Sequence, residues 1–210
     1  MNNPSAIVPG QSVGLIGLGL VGTALAKRLS SAGYQCIGFD VRHEAMLAFQ
    51  NVGFQTSASI EGMLKQTNVL VLAVFDTSGV MDVIAQIKQH WPIQKHAPQP
   101  VLTLIDCSTG DPVKLAELAP ALVADNIQFI EAPLSGSSVQ IENGQATLLL
   151  GGDVLHIQNA APVLNALATF QQHVGGAGMA AKAKLATNLV LGLNRAALAE
   201  GMVFAQTMGI

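Results

Sequence analysis

Charge is scarce in this chain of 210 residues: Asp, Glu, Lys and Arg together make up 11%, against roughly 25% in typical soluble domains. So thin a polar coat implies that part of the surface is covered by something, a second subunit being the simplest cover. The net charge is −3, and no basic stripe runs along the sequence, which argues against nucleic acid as a partner. Long apolar runs are missing too. Val69 to Phe75 is among the longest, far too short to cross a bilayer. Met1 to Gln11 has neither a basic opening nor an apolar stretch behind it, so no signal peptide is indicated. Cysteine is nearly absent. Cys36 and Cys107 both fall in or beside predicted core strands, where buried thiols and a cytoplasmic location fit. The five histidines (His43, His90, His96, His156 and His173) are scattered, with no i, i+4 pair and no cysteine at ligand spacing, so no metal site is expected. There is no G-x-S-x-G, no strong Ser/His/Asp arrangement, no internal repeat and no low-complexity segment.

What is present is a 50% hydrophobic composition, enough for a sizeable core, and one organising stretch, Gly17-Leu18-Gly19-Leu20-Val21-Gly22. It follows an apolar run, Val13 to Ile16, and precedes a helical pattern from Thr23 to Ala32, with Gly33 as its cap. The first glycine permits a tight turn, the second lets backbone approach a pyrophosphate, and the third lets helix pack against strand. The helix N-terminus then offers free N–H groups and the positive end of its dipole. A plain tight turn is the alternative. The context of strand, turn, helix and then an acid at the end of a second strand, Gln35 to Phe39 followed by Asp40, favours a dinucleotide site. Asp40 can accept hydrogen bonds from both adenosine ribose hydroxyls and repel a 2′-phosphate, which favours NAD. Arg42 can reach a phosphate or cover the adenine face, which leaves NADP open. Its plainer reading is a solvated helix-start residue.

Further elements alternate in the same way: a helix near Glu44 to Gln50, a short strand near Phe54 to Thr56, a helix from Ser59, and the apolar run Val69 to Val74, which reads as a strand covered on both faces. Val74 and Phe75 open a loop, Phe75 to Gly79, at that strand's carboxyl end, where ligands bind in open α/β sheets; both count with the dinucleotide site. Val80 to His90 reads as helix, Pro92 to Pro100 as surface loop and Val101 to Ile105 as strand. Asp111 can cap a helix with Pro112 in its first turn, and Ser108 and Thr109 stand just before it. After a helix, Pro112 to Ala124, and a strand, Ile127 to Ala132, the small-residue loop Pro133 to Ser138 offers backbone N–H groups and hydroxyls suited to a carboxylate, or is a simple connection. Ala146 to Leu150 (strand), His156 to Leu167 (helix) and Phe170 to Val174 (strand) follow. A long helix from Gly178 is apolar almost all round, so it must be buried on several faces, by a partner subunit or by a following domain. The expected architecture is α/β, a Rossmann-type doubly wound and mainly parallel sheet over residues 1–177. Residues 178–210 form the long helix that leads into an all-α domain, truncated here.

Chemistry at a carbinol needs a group that takes or gives the hydroxyl proton. The long helix carries Lys182 and Lys184. Asn188 lies one turn beyond Lys184 on the same face, whereas Lys182 points elsewhere and reads as solvated. Lys184 is therefore the candidate acid/base and Asn188 its orienting partner, since burial in so apolar a helix lowers a lysine toward a working pKa.

Four separated segments together resemble one family, the β-hydroxyacid dehydrogenases, which include 3-hydroxyisobutyrate, tartronate semialdehyde and 6-phosphogluconate dehydrogenases. They are the glycine turn beginning Gly17-Leu18-Gly19; Asp106-Cys107-Ser108-Thr109 with Pro112; Ala132-Pro133-Leu134-Ser135-Gly136-Ser137 with Gly144; and Gly175, Gly178, Lys184 and Asn188 with Glu200-Gly201. The resemblance implies that Lys184 is the general acid/base and that Asn188 holds substrate and lysine. Ser135, Gly136 and Ser137 would bind the substrate carboxylate, and Thr109 would sit between nicotinamide and substrate. The fold it implies is a nucleotide-binding domain followed by a long helix into an all-α domain that completes the site and a dimer or tetramer. Ser137 stands where many members have glycine, as in the glyoxylate and succinic semialdehyde reductase branch. Asp40 departs from that branch's Asn-Arg. Thr187 stands where a 6-phosphogluconate enzyme has histidine, so that substrate is disfavoured. Two other readings remain: a non-catalytic dinucleotide-binding or assembly module, and an imine reductase, a group that usually lacks the lysine.

Overall fold

A computed structural model describes residues 9–91 and 100–210. Most of the expected polar arm (residues 1–8) and of the expected surface loop (92–99) lies outside the described residues. Strand β1 (Ser12–Ile16) leads through the glycine turn into α1 (Leu20–Ser31), then β2 (Gln35–Phe39), α2 (His43–Asn51), β3 (Gln55–Thr56), α3 (Ile60–Leu64) and β4 (Val69–Leu72). The chain continues through α4 (Thr77–His90), β5 (Leu102–Asp106), α5 (Pro112–Val123), β6 (Ile127–Glu131), β7 (Leu134–Ser135) and α6 (Ser138–Glu142). It closes with β8 (Thr147–Gly151), α7 (Val154–Leu167), β9 (Phe170–Gly175) and α8 (Met179–Thr207).

All these strands join one sheet in the order β3-β2-β1-β4-β5-β6-β8-β7, with β9 added against β8. From β3 to β6 every pairing is parallel; β8 then runs antiparallel to β6 and β7, and β9 runs parallel to β8. The expected mainly parallel, doubly wound sheet is thus present, with an antiparallel flank. The two-residue period of β4 shows why its run is continuously apolar. Val69 and Val71 enter one core layer with Leu25 and Leu164, while Leu70 and Leu72 enter the other with Met63 and Ile87. Both faces are covered, so no polar alternation survives.

Two expectations need correction. Phe75 to Gly79 is not all loop: α4 begins at Thr77 because the Asp76 carboxylate accepts the Gly79 N–H at 2.9 Å and caps it. The loop expected over Pro133 to Ser138 holds a short strand, β7, and leads directly into α6. A reciprocal capping box sets that helix: Gln140 N–H donates to Ser137 Oγ and Ser137 N–H donates to Gln140 Oε1. The long helix is present as expected, and within this chain it is bare. Only Ala180 and Ala181 are buried, and side chains such as Leu189, Leu198, Met202 and Phe204 stand exposed.

Candidate functional site

The glycine turn is built by close approach. Gly17 has φ +92°, a left-handed conformation, and a Cβ there would stand 2.4 Å from the Ala73 carbonyl oxygen. A Cβ on Gly22 would stand 1.9 Å from the Gly17 carbonyl oxygen, so α1 sits against the turn only because that position carries no side chain. Gly19 differs: a Cβ there would meet nothing within 4 Å and would occupy the cleft it lines. It is the N-cap of α1, with no side-chain cap and no acid in the first turn. An uncapped helix start beside open space is a ready anion site. A cleft of about 700 Å³ lies here, and its lining includes Gly17, Gly19, Asp40, Arg42, Phe75 and Thr109. Leu20, Val21 and Val74 also line it, whereas Leu18 and Gly22, expected in the same site, do not. The residues present therefore fit a dinucleotide.

Asp40 is buried at the end of β2. It accepts the Leu18 N–H at 2.8 Å, which ties the glycine turn to the second strand, and the Arg42 N–H at 2.9 Å. The Arg42 guanidinium folds back on it through Nε at 3.2 Å and Nη2 at 3.3 Å. Burial pushes the Asp40 carboxyl up, but the guanidinium and the two N–H donors outweigh it and hold the group below its ordinary value.

The third wall comes from β4 and β5. The Val74 N–H donates to Ser108 Oγ at 3.1 Å, and the Ser108 N–H donates to Asp106 Oδ1 at 2.9 Å. Asp106 Oδ2 is buried without a hydrogen-bond partner among the described residues. Burial pushes Asp106 up to about 6; its bonds to Ser108 oppose this and the neighbouring Glu131 adds to it. Thr109 is exposed at the cleft and Phe75 stands 96% exposed at its rim.

Glu131 was not singled out by the sequence. It pairs with Asp106 across β5 and β6 and is 1% exposed. Its carboxylate accepts the Gly178 N–H through Oε1 and the Ala181 N–H through Oε2, the latter at 2.9 Å. Burial raises its pKa and those two N–H groups oppose the rise. An acid ending a core strand was the available signal; its partner, 47 residues on, was not. Gly178 completes the clamp with φ +84°, where a Cβ would meet the Pro112 carbonyl oxygen at 2.5 Å.

Lys184 lies in the second turn of α8, half-buried, and burial lowers its pKa. Asn188 follows it on the same continuous helix and is exposed. Neither residue lines the cleft, nor do Ser135, Gly136 and Ser137. The expected free N–H of Ser137 is taken by its capping box, a correction, and its Oγ accepts the Gln140 N–H there; the Ser137 O–H remains able to donate, and Gly136 beside it has φ +153°. Cys36 and Cys107 are buried free thiols; burial pushes Cys36 up to about 12 and Cys107 higher still. Among the described residues, no group of three His, Cys, Asp or Glu side chains could hold a metal ion, and no helix is long and apolar enough to cross a membrane.

Residues 12–192 match the family described as the NAD binding domain of 6-phosphogluconate dehydrogenase. The chain belongs to the β-hydroxyacid dehydrogenase family. It is 27% identical over 205 residues to human mitochondrial 3-hydroxyisobutyrate dehydrogenase, covering 94% of this chain and 58% of that protein. The solved 3-hydroxyisobutyrate dehydrogenase of Salmonella typhimurium superposes with TM-score 0.82 at 27% identity, covering 95% of this chain and 69% of that one. An imine reductase from Myxococcus stipitatus, solved with NAD+, shares the fold at TM-score 0.81 and 17% identity, over 95% of this chain and 67% of that one. The chain thus spans roughly three-fifths to two-thirds of the length of these relatives. The family, the Rossmann-type sheet and an NAD(P) cofactor are therefore established.

Proposed function

We propose that residues 1–177 form the dinucleotide-binding part, and 178–210 the site-closing helix, of an oxidoreductase that transfers a hydride between nicotinamide and a small β-hydroxyacid or semialdehyde. Gly17, Gly19 and the first turn of α1 hold the pyrophosphate, and Asp40 and Arg42 hold the adenosine end. Thr109, with Val74 and Phe75, borders the reacting end. Lys184 takes the proton from the substrate hydroxyl oxygen, or returns it, and Asn188 orients substrate and amine. Ser135, Gly136 and Ser137 receive the substrate carboxylate. The exposed apolar flank of α8 supports a homo-oligomer in which that site is completed.

One observation carries this reading: a lysine whose pKa burial has lowered stands in the second turn of a helix whose start Glu131 pins to the end of β6, paired with the end of β5, after which Cys107, Ser108 and Thr109 line the cleft. Deprotonated amine is what a general base at neutral pH requires. The test is Lys184→Met with NADH binding and turnover of three- to five-carbon semialdehydes measured side by side. Turnover should fall by roughly 10²–10⁴-fold while NADH affinity holds. Unchanged turnover would remove Lys184 from the chemistry. NADH binding without turnover of any member of the panel, even in a protein that also carries the all-α domain, would favour the non-catalytic module.

A further inference from the structure

The Asp40 carboxylate is full. A carboxylate offers about four acceptor positions, and all four are taken. Oδ1 receives Arg42 N–H and Arg42 Nε; Oδ2 receives Leu18 N–H and Arg42 Nη2. Two of these donors are backbone groups fixed by the glycine turn and by the start of α2, where Arg42 is the N-cap. The other two belong to one side chain that is 62% exposed, while the carboxylate beneath it is 6% exposed. A ribose 2′,3′-diol needs two acceptors on this acid, and only the guanidinium can vacate them.

A 2′-phosphate meets the opposite situation. A bare acid repels it, but here the acid lies beneath a guanidinium that neutralises it and keeps three of its five N–H donors free of Asp40. Guanidinium matches phosphate oxygens in charge and in fork geometry. Glu44, in the first turn of α2, is the other charged group drawing on Arg42, and it does not touch the Asp40 acceptors. Both members of the pair line the cleft.

We propose that Arg42 is a movable occupant of the ribose site, ejected from Asp40 by the diol of NAD(H) and retained by the 2′-phosphate of NADP(H), so that one acid–guanidinium pair serves both dinucleotides. The proposal rests on the cofactor cleft and is independent of Lys184. Arg42 thereby costs NADH affinity and supplies NADPH affinity, and Asp40 does the reverse.

Fluorescence titration of the unmodified protein, Arg42→Gln and Asp40→Asn with NADH and with NADPH tests it without any turnover. The unmodified protein should bind both within about tenfold of each other. Arg42→Gln should tighten NADH about two- to fivefold, the scale of an exposed ion pair removed as competitor, and weaken NADPH about tenfold or more through the lost charge-assisted bonds. Asp40→Asn should shift the two affinities in the opposite senses. Equal weakening of both dinucleotides by Arg42→Gln, or a preference above about a thousandfold in the unmodified protein, overturns the proposal. Failure of the unmodified protein to bind either dinucleotide removes the cofactor cleft itself, and the proposal with it.

Discussion

Glu131→Gln tests the clamp at the start of α8. In the native chain one buried side chain accepts two backbone N–H groups, from Gly178 and Ala181. A glutamine of the same shape has a single acceptor oxygen, and its amide nitrogen is a donor facing a donor. One N–H is therefore left buried and unpaired, a loss of about 1–3 kcal/mol, and the surviving bond falls from charge-assisted to neutral, about 1 kcal/mol more. The sum is about 2–4 kcal/mol. For a chain of this size that is a drop of about 4–16 °C in Tm. With Glu131 protonated the charge-assisted part drops out and the unpaired N–H alone remains, about 1–3 kcal/mol. Thermal melts and denaturant titrations give the stability, and hydrogen exchange gives the location: the Gly178 and Ala181 amides should lose protection first. A variant within about 0.5 kcal/mol of the unmodified protein, with both amides still protected, would refute the clamp.

Gly22→Ala forces a Cβ to 1.9 Å from the Gly17 carbonyl oxygen; α1 must withdraw, costing about 3 kcal/mol or more and about tenfold or more in NADH affinity as its first-turn N–H groups move. A melt and an NADH titration matching the unmodified protein would exclude this. The Asp106 carboxyl, raised to about 6, binds a proton more tightly folded than unfolded. Its contribution to stability is complete below about pH 4 and is lost as pH rises through 6, by about 3 kcal/mol. Glu131, also raised, acts in the same direction, whereas Asp40, lowered, contributes above its unfolded value and loses that contribution on acidification. Asp106→Asn should therefore flatten the decline between pH 4 and 7 in urea titrations; an unchanged slope would show that Asp106 is not the source.

The nucleotide half of the fold was legible because its signals are local. A left-handed glycine, a helix that must touch a turn, and strands apolar on both faces each leave a mark within a few residues. So does Asp111, which caps α5 by accepting the Val113 N–H at 2.9 Å. What stayed hidden is non-local or reciprocal. Glu131 finds its partners 47 and 50 residues on, and no spacing rule reaches that far. The Arg42–Asp40 contact was within range, but a solvated arginine and one folded onto an acid read alike in sequence. The α6 capping box, Ser137 with Gln140, was a readable pattern hidden in a segment rich in small residues. The bare flank of α8 follows from composition, yet what covers it is not written in these 210 residues.

The two thiols have a practical corollary. With Cys36 raised to about 12 and Cys107 beyond it, both buried, the folded chain holds almost no thiolate at neutral pH and is silent toward maleimides. A cysteine introduced at Val41, 86% exposed on the cleft wall, would carry the one reactive sulfur. A fluorophore placed there would sense a reduced dinucleotide by energy transfer while leaving the glycine turn intact, so occupancy could be followed in real time without a substrate.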